Sequence, residues 1–258
     1  MRLDYHMHTL FSDGKGEMAE YVKKAAQNKI DEIGFSDHVH VHKEAWSMSS
    51  ANLSKYMDSI RRLRKTAQIS VKAGLEVDFV PETTRSLMPT INQYDFDYLM
   101  GSVHYIGNWL VDSEREIEEW KRRDVDQVYR QYFHLVQDMV EKRLFDIVGH
   151  LDLVKKFNFR PKNDLNDLML QTVQTIRQSG MCIEVNAGGL RKPCHEIFPS
   201  EKLLKMCFEN GVPITLGSDA HSPNDVGAGL EEAVKLARKI GYDEVIRFTG
   251  RKRDFVQL

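Results

Sequence analysis

A chain of 258 residues with 41% hydrophobic and 29% charged side chains is long enough to bury a full core and reads as ordinary globular protein. Its formal net charge of -2 supplies no basic field to hold nucleic acid or an acidic membrane surface. Three cysteines without Cys-x-x-Cys spacing argue against a disulfide framework or a thiolate zinc site, and no apolar run approaches bilayer-spanning length.

The N-terminus lacks the apolar segment of a signal peptide, so the cytoplasm is the expected compartment. Arg2 to His8 reads as a strand, and in His6-Met7-His8 the period-two alternation turns both imidazoles to one side. Glu17 to Asn28 follows as a helix, with Met18, Tyr21, Val22 and Ala25 on one face. Glu32 to His38 is a second strand with an ionisable end. A loop over residues 39–48 carries His40, His42 and Trp46, and a helix from about Ser50 to Gln68 comes next. Ser70 to Phe79 is a third strand, stopped by Pro81, and Thr83 to Gln93 is expected to be helical. Phe96 to Tyr105 is the fourth strand. A long loop with Trp109 and Asp112 leads to the longest helix, Asp124 to Arg143. Phe145 to Asp152 is the fifth strand, and the helix from Asn163 to Ser179 ends at Gly180, a fitting C-cap. Met181 to Ala187 is the sixth strand. A helix from Ser200, as N-cap, to Asn210 precedes the seventh strand, Pro213 to His221, and the last clear helix, Leu230 to Ile240. The tail from Val245 to Leu258 adds at most a short strand.

Strands alternating with helices imply parallel βαβ units. No Pro/Gly/Ser-rich linker and no internal repeat divides them, so residues 1–258 are expected to form one domain. His6 and His8, Asp37 and His38, Glu76, His104, His150, and Asp219 and His221 all fall at or near C-terminal ends of different strands. In a closed β/α barrel that is the face where active sites are built. A single such histidine is more readily a hydrogen-bonded core residue. A convergent cluster of imidazoles and carboxylates, however, needs cations to neutralise it, and metal ions supply them. His134, mid-helix, and His195, in a Pro-flanked loop, have the look of incidental residues. His40 and His42 either line a pocket or are merely exposed.

The set His6-x-His8, Ser36-Asp37-His38, Gly74-Leu75-Glu76, Ser102-Val103-His104, Gly149-His150-Leu151-Asp152 and Gly217-Ser218-Asp219-Ala220-His221 resembles the PHP (polymerase and histidinol phosphatase) family. The stretch from Glu184 to Pro193, followed by Ile197-Phe198-Pro199-Ser200, is similar to its histidinol-phosphate phosphatase branch. The resemblance covers nearly the whole chain. It implies a distorted seven-stranded parallel α/β barrel, TIM-like, holding three divalent ions, usually zinc, manganese or iron. His6, His8, Glu76 and Asp219 would bind the first ion. Glu76 would bridge to a second, held also by His104 and His150, and the third would lie between His38 and His221. The branch often has a histidine where this chain has Gly14, which makes Asp13 the substitute ligand of the third ion.

Such a centre suits hydrolysis of a phosphate monoester, L-histidinol phosphate first among them. Asp219 or His221 would move the proton. Arg191 and Lys156, in loops after the sixth and fifth strands, are candidates to bind phosphate, with Arg160 a weaker one. Trp46, Trp109 and Asp112 are candidates to contact an imidazole or amine. Two other readings stand beside this: a phosphoesterase acting on nucleotides or nucleic-acid ends, and a non-catalytic module serving a partner. The near-neutral charge speaks against the first, a complete ligand set against the second. Oligomeric state is not legible.

Overall fold

A computed structural model describes the chain from Met1 to Leu258 except His42, Lys43 and Glu82. Seven strands run parallel: β1 (Leu3–Asp4), β2 (Glu32–Phe35), β3 (Ser70–Asp78), β4 (Tyr98–Ser102), β5 (Ile147–Val148), β6 (Cys182–Asn186) and β7 (Ile214–Gly217). They pair in chain order, and β7 returns beside β1. There the Tyr5 N–H donates to Leu216 O (3.0 Å) and the His8 N–H to Ala220 O (2.9 Å), with a parallel bridge between Met7 and Ala220. The result is the distorted seven-stranded α/β barrel expected from the sequence.

Eight helices connect the strands among the described residues: α1 (Met18–Gln27), α2 (Leu53–Thr66), α3 (Met88–Ile91), α4 (Ile117–Arg122), α5 (Val125–Glu141), α6 (Asn166–Ser179), α7 (Glu201–Glu209) and α8 (Leu230–Ile240). Local chemistry sets their ends. Glu17 and Glu20 form a capping box on α1, and the Asp124 carboxylate accepts the Asp126 and Gln127 N–H groups on α5. Gly180 closes α6 at φ +80°, a left-handed conformation that suits glycine. Ser200 does stand at the N-cap of α7, but its hydroxyl makes no capping bond. None of the described helices is long and apolar enough to cross a membrane.

Three sequence expectations change in detail. The ladders are shorter than the apolar runs, so most ligand-type residues lie just past the strand ends. His38–Val39 forms a separate parallel pair against Glu76 and Val77 of β3. The segment from Thr83 to Gln93 is a 3₁₀ turn over Thr84–Leu87 followed by the single turn of α3, where Pro89 has no N–H to continue a longer helix. The tail forms a full hairpin, β8 (Glu244–Thr249) and β9 (Lys252–Gln257), turned by Gly250 (φ +54°) and Arg251 (φ +64°).

That hairpin covers the N-terminal mouth of the barrel. Thr249 Oγ1 accepts from Lys72 Nζ, the Gly250 N–H donates to Asp97 and Arg251 pairs with Asp146, all near strand starts. Inside, the Tyr98 ring crosses the barrel, stacked on Tyr5 with centroids 5.0 Å apart, and Phe248 packs beside both. Gly34 and Gly74 make this possible, since a Cβ on either would come within 2.3 Å of the Tyr98 side chain. The aromatic layer plugs the lower barrel and leaves the upper end to polar residues.

Candidate metal centre

The C-terminal ends of the strands bring together the nine residues expected as ligands, all of them buried except Asp13 and His221 at the rim. His6 and His8 leave β1 in extended backbone, and their Nε2 atoms lie 3.0 Å apart. Glu76 Oε2 stands 3.1 Å from His6 Nε2 and 3.4 Å from His8 Nε2. Asp219 Oδ1 completes the group at 3.7 and 3.5 Å from the same two nitrogens. Four ligands bonded at about 2.0–2.2 Å to a shared centre stand about 3.3–3.6 Å from one another. Two donor groups overlap here, His6 with His8 and Asp219, and His6 with Glu76 and His150, each with its ligand atoms close enough to share an ion.

Glu76 also faces the other way. Its Oε1 lies 2.9 Å from His150 Nε2 and 3.7 Å from His104 Nε2, which are 3.3 Å apart. On the outer side, Asp13 Oδ2 is 3.3 Å from His221 Nε2, Asp13 Oδ1 is 3.8 Å from His8 Nδ1, and the His38 and His221 rings stack on His8. His8, Asp13, His38 and His221 thus form one further donor group. Position 14 has no room for any side chain, because a Cβ there would fall 1.9 Å from the His8 carbonyl oxygen. Asp13 is therefore the residue of this loop that turns toward the cluster.

The donor set fits divalent cations on its own chemistry. Glu76 Oε1, His8 Nδ1 and His38 Nδ1 are buried without a hydrogen bond among the described residues, although a nitrogen or oxygen of another cluster residue lies within 4 Å of each. Burial works against a charged His6, yet the Glu184, Glu76 and Asp219 carboxylates raise its pKa well above the usual value. A positive charge, either a proton or an ion, has to sit among these atoms. His8 moves the other way: burial and the neighbouring His38 and His221 push it down to about 3. The neutral ring thus keeps a lone pair on one nitrogen for a metal ion at neutral pH.

Supporting groups fix the ligands. Asp37 accepts the Thr9 N–H (2.7 Å) and the Ser12 hydroxyl (2.6 Å), which pins the loop carrying Asp13. Asp4 accepts the Ser218 N–H (2.8 Å) and hydroxyl (2.6 Å). The next residue, Asp219, has φ +56°, an uncommon conformation outside glycine that aims its carboxylate inward. Asp78 Oδ1 makes a short contact with His104 Nδ1, and Glu184 Oε1 lies 2.7 Å from His6 Nδ1. Asp78 and Glu184 were not among the residues expected at the site. The signal was present: each is an ionisable residue in an apolar strand, two positions from another inward polar group, Glu76 or Asn186.

A cavity of about 160 Å³ opens over the cluster, lined also by Trp46, Leu110, Asp112 and Lys156. Lys156 Nζ donates to the Asp112 carbonyl (2.6 Å) and carboxylate (3.0 Å). Burial opposes ionisation of Asp112, but Lys156 holds its pKa down to about 2. Other candidates lie elsewhere. The Arg191 guanidinium donates to the Ser218, Asp219 and Ala228 carbonyls and is not part of the cavity lining. Arg160 pairs with Glu196 at the surface. Trp109 is buried against Trp120 and Arg123. His134 and His195 are exposed, His40 packs near Trp46 and Tyr105, and His42 lies outside the described residues.

Residues 4–188 match the PHP domain family. The chain is 33% identical over 255 residues to a probable histidinol-phosphatase of Deinococcus radiodurans, covering 96% of this chain and 97% of the relative. It is 26% identical over 264 residues to the histidinol-phosphatase of Lactococcus lactis, covering 98% and 96%. The crystal structure of histidinol phosphate phosphatase from L. lactis, complexed with zinc, L-histidinol and phosphate, superposes with a TM-score of 0.86 over 98% of each chain.

Proposed function

The chain belongs to the PHP domain family, and on that premise we propose that it is a metal-dependent phosphomonoesterase hydrolysing L-histidinol phosphate to L-histidinol and phosphate. The observation that carries the reading is Glu76, whose two oxygens face different histidine sets at the floor of an enclosed cavity. His6, His8, Glu76 and Asp219 would hold one divalent ion, Glu76, His104 and His150 a second, and Asp13, His38 and His221 a third. Zinc bound to the L. lactis relative suits the imidazole-rich set. Ions so held supply Lewis acidity, which activates water as the nucleophile and offsets charge on the phosphoryl oxygens.

The chain's own residues do the rest. Lys156 makes two hydrogen bonds to Asp112, which leaves one N–H of its ammonium for a phosphoryl oxygen. Asp219 and His221 would carry the proton for the leaving alkoxide between them: His221 Nε2 faces the third site, so its Nδ1 side, 3.4 Å from Asp219 Oδ1, is the one left for proton transfer. Asp112 and Trp46 offer a carboxylate and an aromatic face to the substrate's amine and imidazole. Arg191 acts on this reading through the backbone that carries Asp219, or on phosphate after a change of rotamer. The test is kinetic competition on zinc-loaded protein between L-histidinol phosphate and other monoesters, including nucleoside 5′-monophosphates. Higher kcat/KM for L-histidinol phosphate is the expected result, and a preference for the nucleotides refutes the assignment.

A further inference from the structure

We infer that Glu184, which does not line the cavity, is a positioning residue that fixes the tautomer of His6. This rests on the metal assignments above. Glu184 is fully buried on β6 and reaches two ligand residues at once. Its Oε1 lies 2.7 Å from His6 Nδ1. Its Oε2 accepts the backbone N–H of His150 (2.9 Å) and an amide N–H of Asn186 (3.1 Å). The barrel keeps room for this carboxylate, since a Cβ on Gly217 would fall 1.9 Å from Oε1. An ionised carboxylate only accepts hydrogen bonds, so it holds the His6 proton on Nδ1. The Nε2 lone pair is then presented to the point shared by His8, Glu76 and Asp219.

The surroundings make the isosteric variant Glu184→Gln informative. Both donors on the Oε2 side are unable to turn. One is backbone, and the other belongs to Asn186, whose Oδ1 is engaged by the Gly188 N–H at 2.8 Å. A glutamine must therefore point its oxygen at them and its NH₂ at His6 Nδ1. That nitrogen becomes an acceptor, and the Asn186 Nδ2 group, 3.5 Å away, reinforces the change. The ring proton moves to Nε2, where it faces the ion site. A carboxyl-to-amide change thus blocks one ligand without altering the volume of the core.

The test uses the full-length protein. Zinc titration against a competing chelator is expected to show one site weakened by about 10–100-fold in Glu184→Gln, the range for loss of a group that orients a ligand. The remaining sites are expected to keep wild-type affinity. Ring ¹⁵N NMR, with the His6 signals assigned by their loss in His6→Asn, is expected to show Nδ1–H in zinc-loaded wild type and Nε2–H in Glu184→Gln. Wild-type affinity at every site of Glu184→Gln, or an Nε2–H tautomer in wild type, overturns the inference. Should the variant not fold, the wild-type tautomer decides alone. Failure of wild type to bind zinc refutes the metal assignment and this inference with it, whereas equal binding by wild type and variant refutes only the positioning role.

Discussion

Replacing Glu76 by alanine removes a carboxylate that serves two groups of imidazoles. Oε2 lies 3.1, 3.4 and 3.2 Å from nitrogens of His6, His8 and His38, and Oε1 lies 2.9 and 3.7 Å from those of His150 and His104. Removing one partner of a buried ion pair costs about 3–5 kcal/mol. At about 1.36 kcal/mol per decade, that is a loss of about 10²–10⁴-fold in affinity for an ion. Because both oxygens disappear, the loss falls on two ions. His150→Ala provides the comparison: its Nε2 lies nearest Glu76 Oε1 and His104 Nε2, so the ion among His6, His8 and Asp219 is expected to remain. The assay is metal content per chain after gel filtration, with chelator competition for affinity and thermal melting of metal-free protein as the check on folding. Glu76→Ala is expected to retain fewer ions than His150→Ala and to lose turnover. Equal metal content in the two variants refutes the bridging role.

Asp13→Ala is expected to weaken a single ion and lower kcat while the site built on His6 and His8 stays filled, because Asp13 belongs to the outer group with His221, His38 and the outer nitrogen of His8. Unchanged metal content and rate in that variant would mean that the outer site does not use Asp13. In metal-free protein, burial opposes ionisation of His38 and His104, but Glu76 and Asp78 respectively raise them to about 10 and about 9. Raised histidine pKa values stabilise the fold fully below about pH 6.5, and that stability is lost as pH climbs through 9 to 10. Melting of metal-free protein should therefore fall over that window, and zinc uptake at pH 8 should release protons, read by calorimetry in buffers of different ionisation enthalpy. A melting temperature that rises with pH across the window contradicts the charge balance drawn here. Asp112→Asn should lower kcat/KM for L-histidinol phosphate about tenfold more than for a monoester without an amine, since about 1.4 kcal/mol is a modest value for one charge-assisted bond; equal losses on both substrates remove Asp112 from amine recognition.

Most of the proposed ligands were legible because they are polar residues at or near the end of an apolar run, where a barrel gathers strand ends on one face, whereas Asp13, in a loop, was reached through the family resemblance. His6 and His8 needed only the period of a strand. Asp78, in the strand of Glu76, and Glu184, in β6, follow the same alternation, but what they do depends on neighbours 26 and 178 residues away, His104 and His6, which no local pattern records. The loops were harder still. Lys156, Arg160 and Arg191 are equivalent as charges in a sequence, yet the fold turns Lys156 to the cavity, Arg160 to Glu196 and Arg191 to backbone carbonyls. Trp46 and Trp109 divide in the same way, one onto the cavity wall and one into packing against Trp120. The tail was expected to add a short strand, but its pairing into a hairpin was not foreseen, because Gly250-Arg251 is a weak turn signal.

The division between strand ends and loops follows from what each task demands. Ions need donors held to within a few tenths of an ångström, and strand ends backed by Tyr98, Tyr5 and the buried carboxylates supply that rigidity. Recognition of the leaving group faces the opposite constraint. A cluster cationic enough to take a phosphoryl dianion repels the amine of L-histidinol, so a negative charge has to stand further along the same cavity. On the proposed reading Asp112 would supply it from the loop after β4, and Lys156, from the loop after β5, is its hydrogen-bonded partner when no substrate is bound. Both charges would then have a partner before binding and a better one after it, an amine for the carboxylate and a phosphate for the ammonium. A pair of that kind orients a substrate that is anionic at one end and cationic at the other, and gives nothing comparable to a monoester whose alcohol is neutral.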